Sequence, residues 1–93
     1  MHETGIVRDL VRKVEQAGHE AGATKVARIG VWLGALSQFS PHHFREHFDD
    51  EARGTSAEGA ELGIETSTDI GDPNAQSVMI RNLELEVSDE RAQ

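Results

Sequence analysis

Residues 25–48 read KVARIGVWLGALSQFSPHHFREHF, and this stretch decides the fold. From Lys25 to Leu33, Ala27, Ile29, Val31 and Leu33 alternate with Arg28, Gly30 and Trp32. That is the period-two pattern of a strand with one buried face, and the first set is the expected core face. Trp32 falls on the other face beside Arg28. It reads as a tryptophan partly covered by its cross-strand neighbours, with an exposed interface anchor as the alternative. A helix then starts. Ser40 is placed to cap it, and Pro41 takes the first helical position, where a missing N–H costs nothing. Phe39 and Phe44 have the spacing of a hydrophobic staple, and Phe44 and Phe48 share a face. The helix is expected to end near Ala52 to Arg53, with Gly54 beyond.

Upstream, Glu3 to about Ala21 carries an apolar stripe of Ile6, Val7, Leu10, Val11 and Val14, opposed by Arg8, Asp9, Arg12, Lys13 and Glu15. This is an amphipathic helix. Gly5 and Gly18 each weaken it by roughly 1 kcal/mol relative to alanine, and Gly22 is the expected stop. Downstream, Ala60 to Thr66 reads as a strand with Leu62 and Ile64 inward. Val78 to Val87 reads as another, with Leu83, Leu85 and Val87 inward and Glu84 and Glu86 outward. Ile80 breaks that alternation, which predicts a bulge near Arg81-Asn82. Residues 67–77, with Gly71, Asp72, Pro73 and Asn74, have turn composition. The order α-β-α-β-β predicts an α+β, two-layer domain: a three-stranded sheet with two helices on one face. Residues 1–87 are expected to form it, with 88–93 a polar tail.

The chain has 93 residues, 17 acidic against 9 basic, for a formal charge of −8. One domain of slim stability is expected. The negative charge argues against nucleic acid and anionic membrane as partners. Cysteine is absent, which removes disulfides, thiolate ligands and a sulfur nucleophile. No apolar run reaches membrane-spanning length and no signal peptide is evident, so the expected location is cytoplasmic.

Few residues carry chemistry. The histidine at position 2 places an imidazole near the terminal amine and the first backbone amides, a compact nitrogen-rich chelate of the kind that suits Ni(II) and Cu(II). His43 and His47 stand one helical turn apart, so both imidazoles could meet one metal, although no third ligand is evident locally. The simpler reading is a solvated helix surface, as for His19 and His42. Glu58, Glu61, Glu65, Glu84 and Glu86 read as solvent-facing, not as a catalytic pair. The Gly54 to Glu61 stretch lacks the lysine of a phosphate loop, and no nucleophile motif is present. An enzyme is not expected.

Three stretches together resemble the HypA/HybF family of nickel metallochaperones for hydrogenase maturation: Met1-His2-Glu3 followed by Gly5-Ile6-Val7; Leu33-Gly34-Ala35-Leu36-Ser37 with Pro41, Phe44 and Phe48; and Gly54-Thr55 with Ala57-Glu58-Gly59-Ala60-Glu61-Leu62. Val78 to Glu86 is similar to that family's last strand. The resemblance implies Ni(II), bound transiently, with His2 as the principal side-chain ligand. The backbone nitrogens of His2 and Glu3 stand beside it at the Met1 terminus. It further implies the nickel-insertion GTPase of the hydrogenase maturation pathway and the hydrogenase large subunit as partners, sometimes urease as the enzyme served, and it leaves a homodimer open. The family's zinc ribbon, with two Cys-x-x-Cys pairs, sits between the last two strands. Here that place holds only residues 67–77, so no zinc is expected. The alternative is an interaction or regulatory module that binds the maturation partners with little nickel of its own.

Overall fold

A computed structural model describes residues 3–87, with side chains from Gly5 onward. Its elements are α1 (Glu3–Glu20), β1 (Ala23–Leu33), α2 (Pro41–Ala52), β2 (Glu61–Thr66) and β3 (Val78–Val87). The expected α+β order and the two-layer arrangement are what the chain adopts.

α1 buries Val7, Leu10, Val11 and Val14, with Ile6 half-buried at the rim. It ends as its glycine predicts. Gly22 takes φ +76 and donates to the His19 carbonyl at 3.0 Å, a left-handed stop that costs a residue without Cβ little. α2 is capped by Ser40, whose Oγ accepts from the His43 N–H at 3.1 Å. Phe39 and Phe44 close the staple edge to face, with centroids 5.6 Å apart.

The sheet order is β2-β1-β3. β1 pairs parallel with β2, Ile29 opposite Leu62 and Val31 opposite Ile64, and antiparallel with β3, Ile29 opposite Leu83 and Leu33 opposite Val78. Ile29, Val31 and Leu33 join Phe44, Phe48, Leu62 and the α1 stripe in one core. Both helices therefore cover the same face. The expected bulge in β3 is present: Gly30 pairs with Asn82 and Val31 with Ile80, so Arg81 is the extra residue and Ile80 turns back toward the core.

Two expectations fail locally, and one alternative is set aside. Ala27 is not on the core face; Val26 is, at 0% exposure. The cause is a second bulge, since Val26 pairs with Leu85 and Arg28 with Glu84, leaving Ala27 unpaired and reversing the alternation N-terminal to it. Val87 is exposed, because it ends β3 opposite Ala23, beyond the reach of α1's apolar stripe. Trp32 is buried and no exposed anchor, yet it lies outside the main core, as does buried Ala75. The 67–77 connection is ordered against the end of β1: Gly34 donates to Ser77 and Leu36 to Ala75.

The glycines respond oppositely to a methyl group. At Gly18, in the last turn of α1, a Cβ would meet Val26 at 3.6 Å and Leu85 at 3.8 Å, ordinary contact distances. At Gly34 it would overlap the Ala75 backbone carbonyl. Gly18→Ala should therefore raise unfolding stability by roughly 0.5–1 kcal/mol. Gly34→Ala should lower it by about 1–3 kcal/mol. Urea denaturation of the two variants checks both signs.

Candidate metal site

Met1 and His2 lie outside the described residues, and of Glu3 only the backbone is described, as the first residue of α1. What the fold does establish is where α1 begins. A two-residue turn sends β1 back against α1, and β2 runs parallel to β1, so α2 between them runs back alongside α1 in the same direction. Arg8 Nε meets Glu51 Oε1 at 3.1 Å and marks the register at which the core packs the two helices. Five residues before Arg8 is Glu3, and four before Glu51 is His47. At a rise of ~1.5 Å per residue these stand at about the same height. The start of α1 and the first turns of α2 therefore share one end of the molecule.

On α2, His43 and His47 are half-buried, with Nε2 atoms 3.1 Å apart and ring centroids 4.8 Å apart. This departs from the expected solvated surface. The reason is Phe39, whose buried ring backs both imidazoles at 5.5 and 6.2 Å. Its spacing, four residues before His43 and eight before His47, is the signal the sequence offers. His42, by contrast, is exposed and contacts Glu46 at 3.2 Å. His19 is exposed near the end of α1, far along the chain from this pair.

The sheet's other face is polar. Arg28 pairs with Glu61 at 3.0 Å and Arg81 with Glu65 at 3.6 Å, and Glu58 accepts from the Gly54 N–H at 3.1 Å. These carboxylates are surface partners in ion pairs and turns. Among the described residues no group of three or more His, Asp or Glu is placed to hold a metal. None of those residues forms a helix long and apolar enough to cross a membrane. A small groove opens between α1 and β3, its floor formed by Ile6, Leu10, Val78, Met79 and Ile80 and its rim carrying the charged pair Asp9 and Lys13; the bulge at Arg81 brings Ile80 into it.

This two-layer architecture is shared by a solved nickel metallochaperone. The solution structure of the Ni metallochaperone HypA from Helicobacter pylori superposes with a TM-score of 0.79 over 95% of this chain and 100% of that one, at 17% identity. A second solved HypA protein gives 0.73 over 95% and 98%, at 19% identity. At such identities the likeness establishes the fold. Membership follows from sequence: residues 1–71 match the family described as HypA, hydrogenase/urease nickel incorporation, metallochaperone, and the chain belongs to that family. Its relatives include the hydrogenase maturation factor HypA of Chlorobium limicola, 38% identical over 65 residues, covering 70% of this chain and 56% of the relative. HypA of Aquifex aeolicus is likewise 38% identical over 65 residues, with the same two shares, 70% and 56%. HybF of Salmonella typhimurium is 37% identical over 65 residues, 70% of this chain and 58% of the relative. The chain thus spans little more than half the length of these relatives. The family match stops at residue 71, inside the connection between β2 and β3.

The Ser40 cap fixes the turn that carries His43. Removing it in Ser40→Ala should cost about 1 kcal/mol, read as a lower urea midpoint, with the His43 amide exchanging faster with solvent.

Proposed function

We propose that this protein captures Ni(II) at Met1-His2-Glu3 and passes it on for maturation of a [NiFe] hydrogenase. The observation that carries this reading is that the family match begins at residue 1 and runs through α1, β1, α2 and β2, so the terminal tripeptide and its supporting scaffold belong to one matched unit. The chemistry is consistent. The His2 imidazole and the backbone nitrogens of His2 and Glu3, close to the Met1 amine, offer nitrogen donors in a short run of chain, and nitrogen donors in a square plane suit Ni(II).

The fold's part is to end the chelate in a rigid helix. α1 starts at Glu3, tied to α2 through the core and the Arg8–Glu51 pair, so captured metal would be presented at a defined end of the domain. Nickel is cargo here, not a resident group. Binding through deprotonated amides releases protons, so affinity should fall as pH drops, and protonation favours release. On this reading the recipient is the nickel-insertion GTPase of the pathway, the destination is the hydrogenase large subunit, and the protein works in the cytoplasm without the family's cysteine-held zinc, since its sequence contains no cysteine. Residues 1–87 act as the nickel-handling domain. The burial of Trp32 removes the exposed aromatic that would have favoured a purely partner-binding module.

The test is a Ni(II) titration of protein with a free Met1 amine, followed by calorimetry and visible absorption. Saturable binding with a square-planar spectrum is expected. It should be lost in His2→Ala and in a version with residues added before Met1, and it should weaken as pH is lowered. Absence of binding by the authentic protein sinks independent nickel capture.

A further inference from the structure

We infer that His43 and His47 form a second divalent-metal clamp, built from side chains of α2. The distance is the first argument. Two imidazole nitrogens 3.1 Å apart, each ~2.05 Å from a shared metal, subtend about 98° at it. That lies between the ~90° of adjacent ligands in a square plane or octahedron and the ~109° of a tetrahedron. The pair already has the nitrogen–nitrogen separation of a bidentate ligand, so closing on an ion asks for reorientation of the rings and not for a change in their spacing.

Preorganisation is the second argument. The i, i+4 spacing places both side chains on one face of a capped helix, and Phe39 packs behind both rings. In the metal-free pair the Nε2 atoms share one hydrogen, so one ring donates and the other accepts. Binding requires the donor ring to move its hydrogen from Nε2 to Nδ1, a change of tautomer without loss of a proton, which leaves a lone pair on each Nε2 that a small rotation of the rings can aim at one metal. Surroundings supply the charge: a shallow groove bounded by Glu46, His47, Asp49 and Asp50 opens on the His47 side of the pair, Glu46 and Asp50 there also meeting His42 and Arg53, on a chain of net charge −8, so a cation is drawn to this side of α2. Two neutral imidazoles select a borderline first-row divalent ion, Ni(II), Cu(II) or Zn(II), over Mg(II) or Ca(II), which take oxygen donors. The remaining positions are open to water or to a donor brought by another group.

His47 stands level with the start of α1, so the clamp lies at the end of the domain where the nickel-capturing segment begins. A role as a holding point beside that segment rests on the N-terminal reading; the clamp itself does not.

The experiment uses the His2→Ala protein, which removes the proposed N-terminal ligand, titrated with Ni(II) alone and observed through the imidazole carbon–proton NMR signals. Saturable paramagnetic broadening centred on His43 and His47, before His19 and His42, is expected. It should be lost when His43→Gln or His47→Gln is added, with the urea midpoint confirming that each variant is folded. Mg(II) should produce no change. Broadening that reaches all four histidines together, or that survives both glutamine variants, overturns the clamp. The two proposals separate cleanly. If the His43→Gln/His47→Gln protein with native His2 still binds one Ni(II) while the His2→Ala protein binds none, the N-terminal capture stands and the clamp falls. If the His2→Ala protein binds and the double glutamine protein does not, the clamp stands and the N-terminal capture falls.

Discussion

Burial of one face of β1 governs this molecule. β1 is the strand with a neighbour on both sides, and its Ile29, Val31 and Leu33 side chains are almost wholly removed from water. Each such side chain contributes roughly 1.5–3 kcal/mol on transfer from water, in a domain whose whole margin is of order 5–15 kcal/mol. Both helices exist largely to cover that face: isolated segments of 18 and 12 residues would be marginal in water. Every feature of the candidate site is downstream of this packing, because it decides where α1 starts and which side of α2 turns outward.

The corner between β1 and α2 links the core to the chemistry. Phe39 is buried against Phe44, and its ring also supports His43 and His47. One side chain thus serves the staple that starts the helix and the surface on which two imidazoles meet. The parallel run of α1 and α2 then gathers the beginning of the described chain and this histidine pair at one end, while the polar sheet face, with Arg28, Arg81 and their glutamate partners, lies on the other side of the sheet.

Much of the architecture is legible in sequence because its signals are local. The Ser40-Pro41 start, the Gly22 stop and the alternation from Ile29 to Leu33 each report a conformation through neighbouring residues. The Arg81 bulge is readable from a broken alternation around Ile80. The Ala27 bulge is not, since alanine fits either face and the shift is set by pairing with Leu85 and Glu84, some 57 residues further on. Trp32 is more deeply buried than its strand position suggests for a related reason: its cross-strand neighbours, Glu65 and Met79, come from β2 and β3, more than 30 residues further on. At the site, helical spacing places His43 and His47 on one face, but the 3.1 Å approach of their nitrogens, with Phe39 packed behind both rings, is a tertiary fact that spacing alone does not report. The N-terminal ligands are legible through chain position and family resemblance, with no tertiary signal.

The join between β2 and β3 carries a consequence for how this family's architecture can vary. Thr66 and Val78 both pair with Leu33, one on each side. With strands ~4.8 Å apart, the two ends of the connection are held about 10 Å apart, whatever lies between them. A gap of that width can be bridged by a short peptide or by an independently folding unit whose own termini are close together. Lengthening the bridge costs little, because loop entropy grows only logarithmically. The sheet therefore behaves as a socket: a module can be plugged in or left out there while the register of all three strands is preserved.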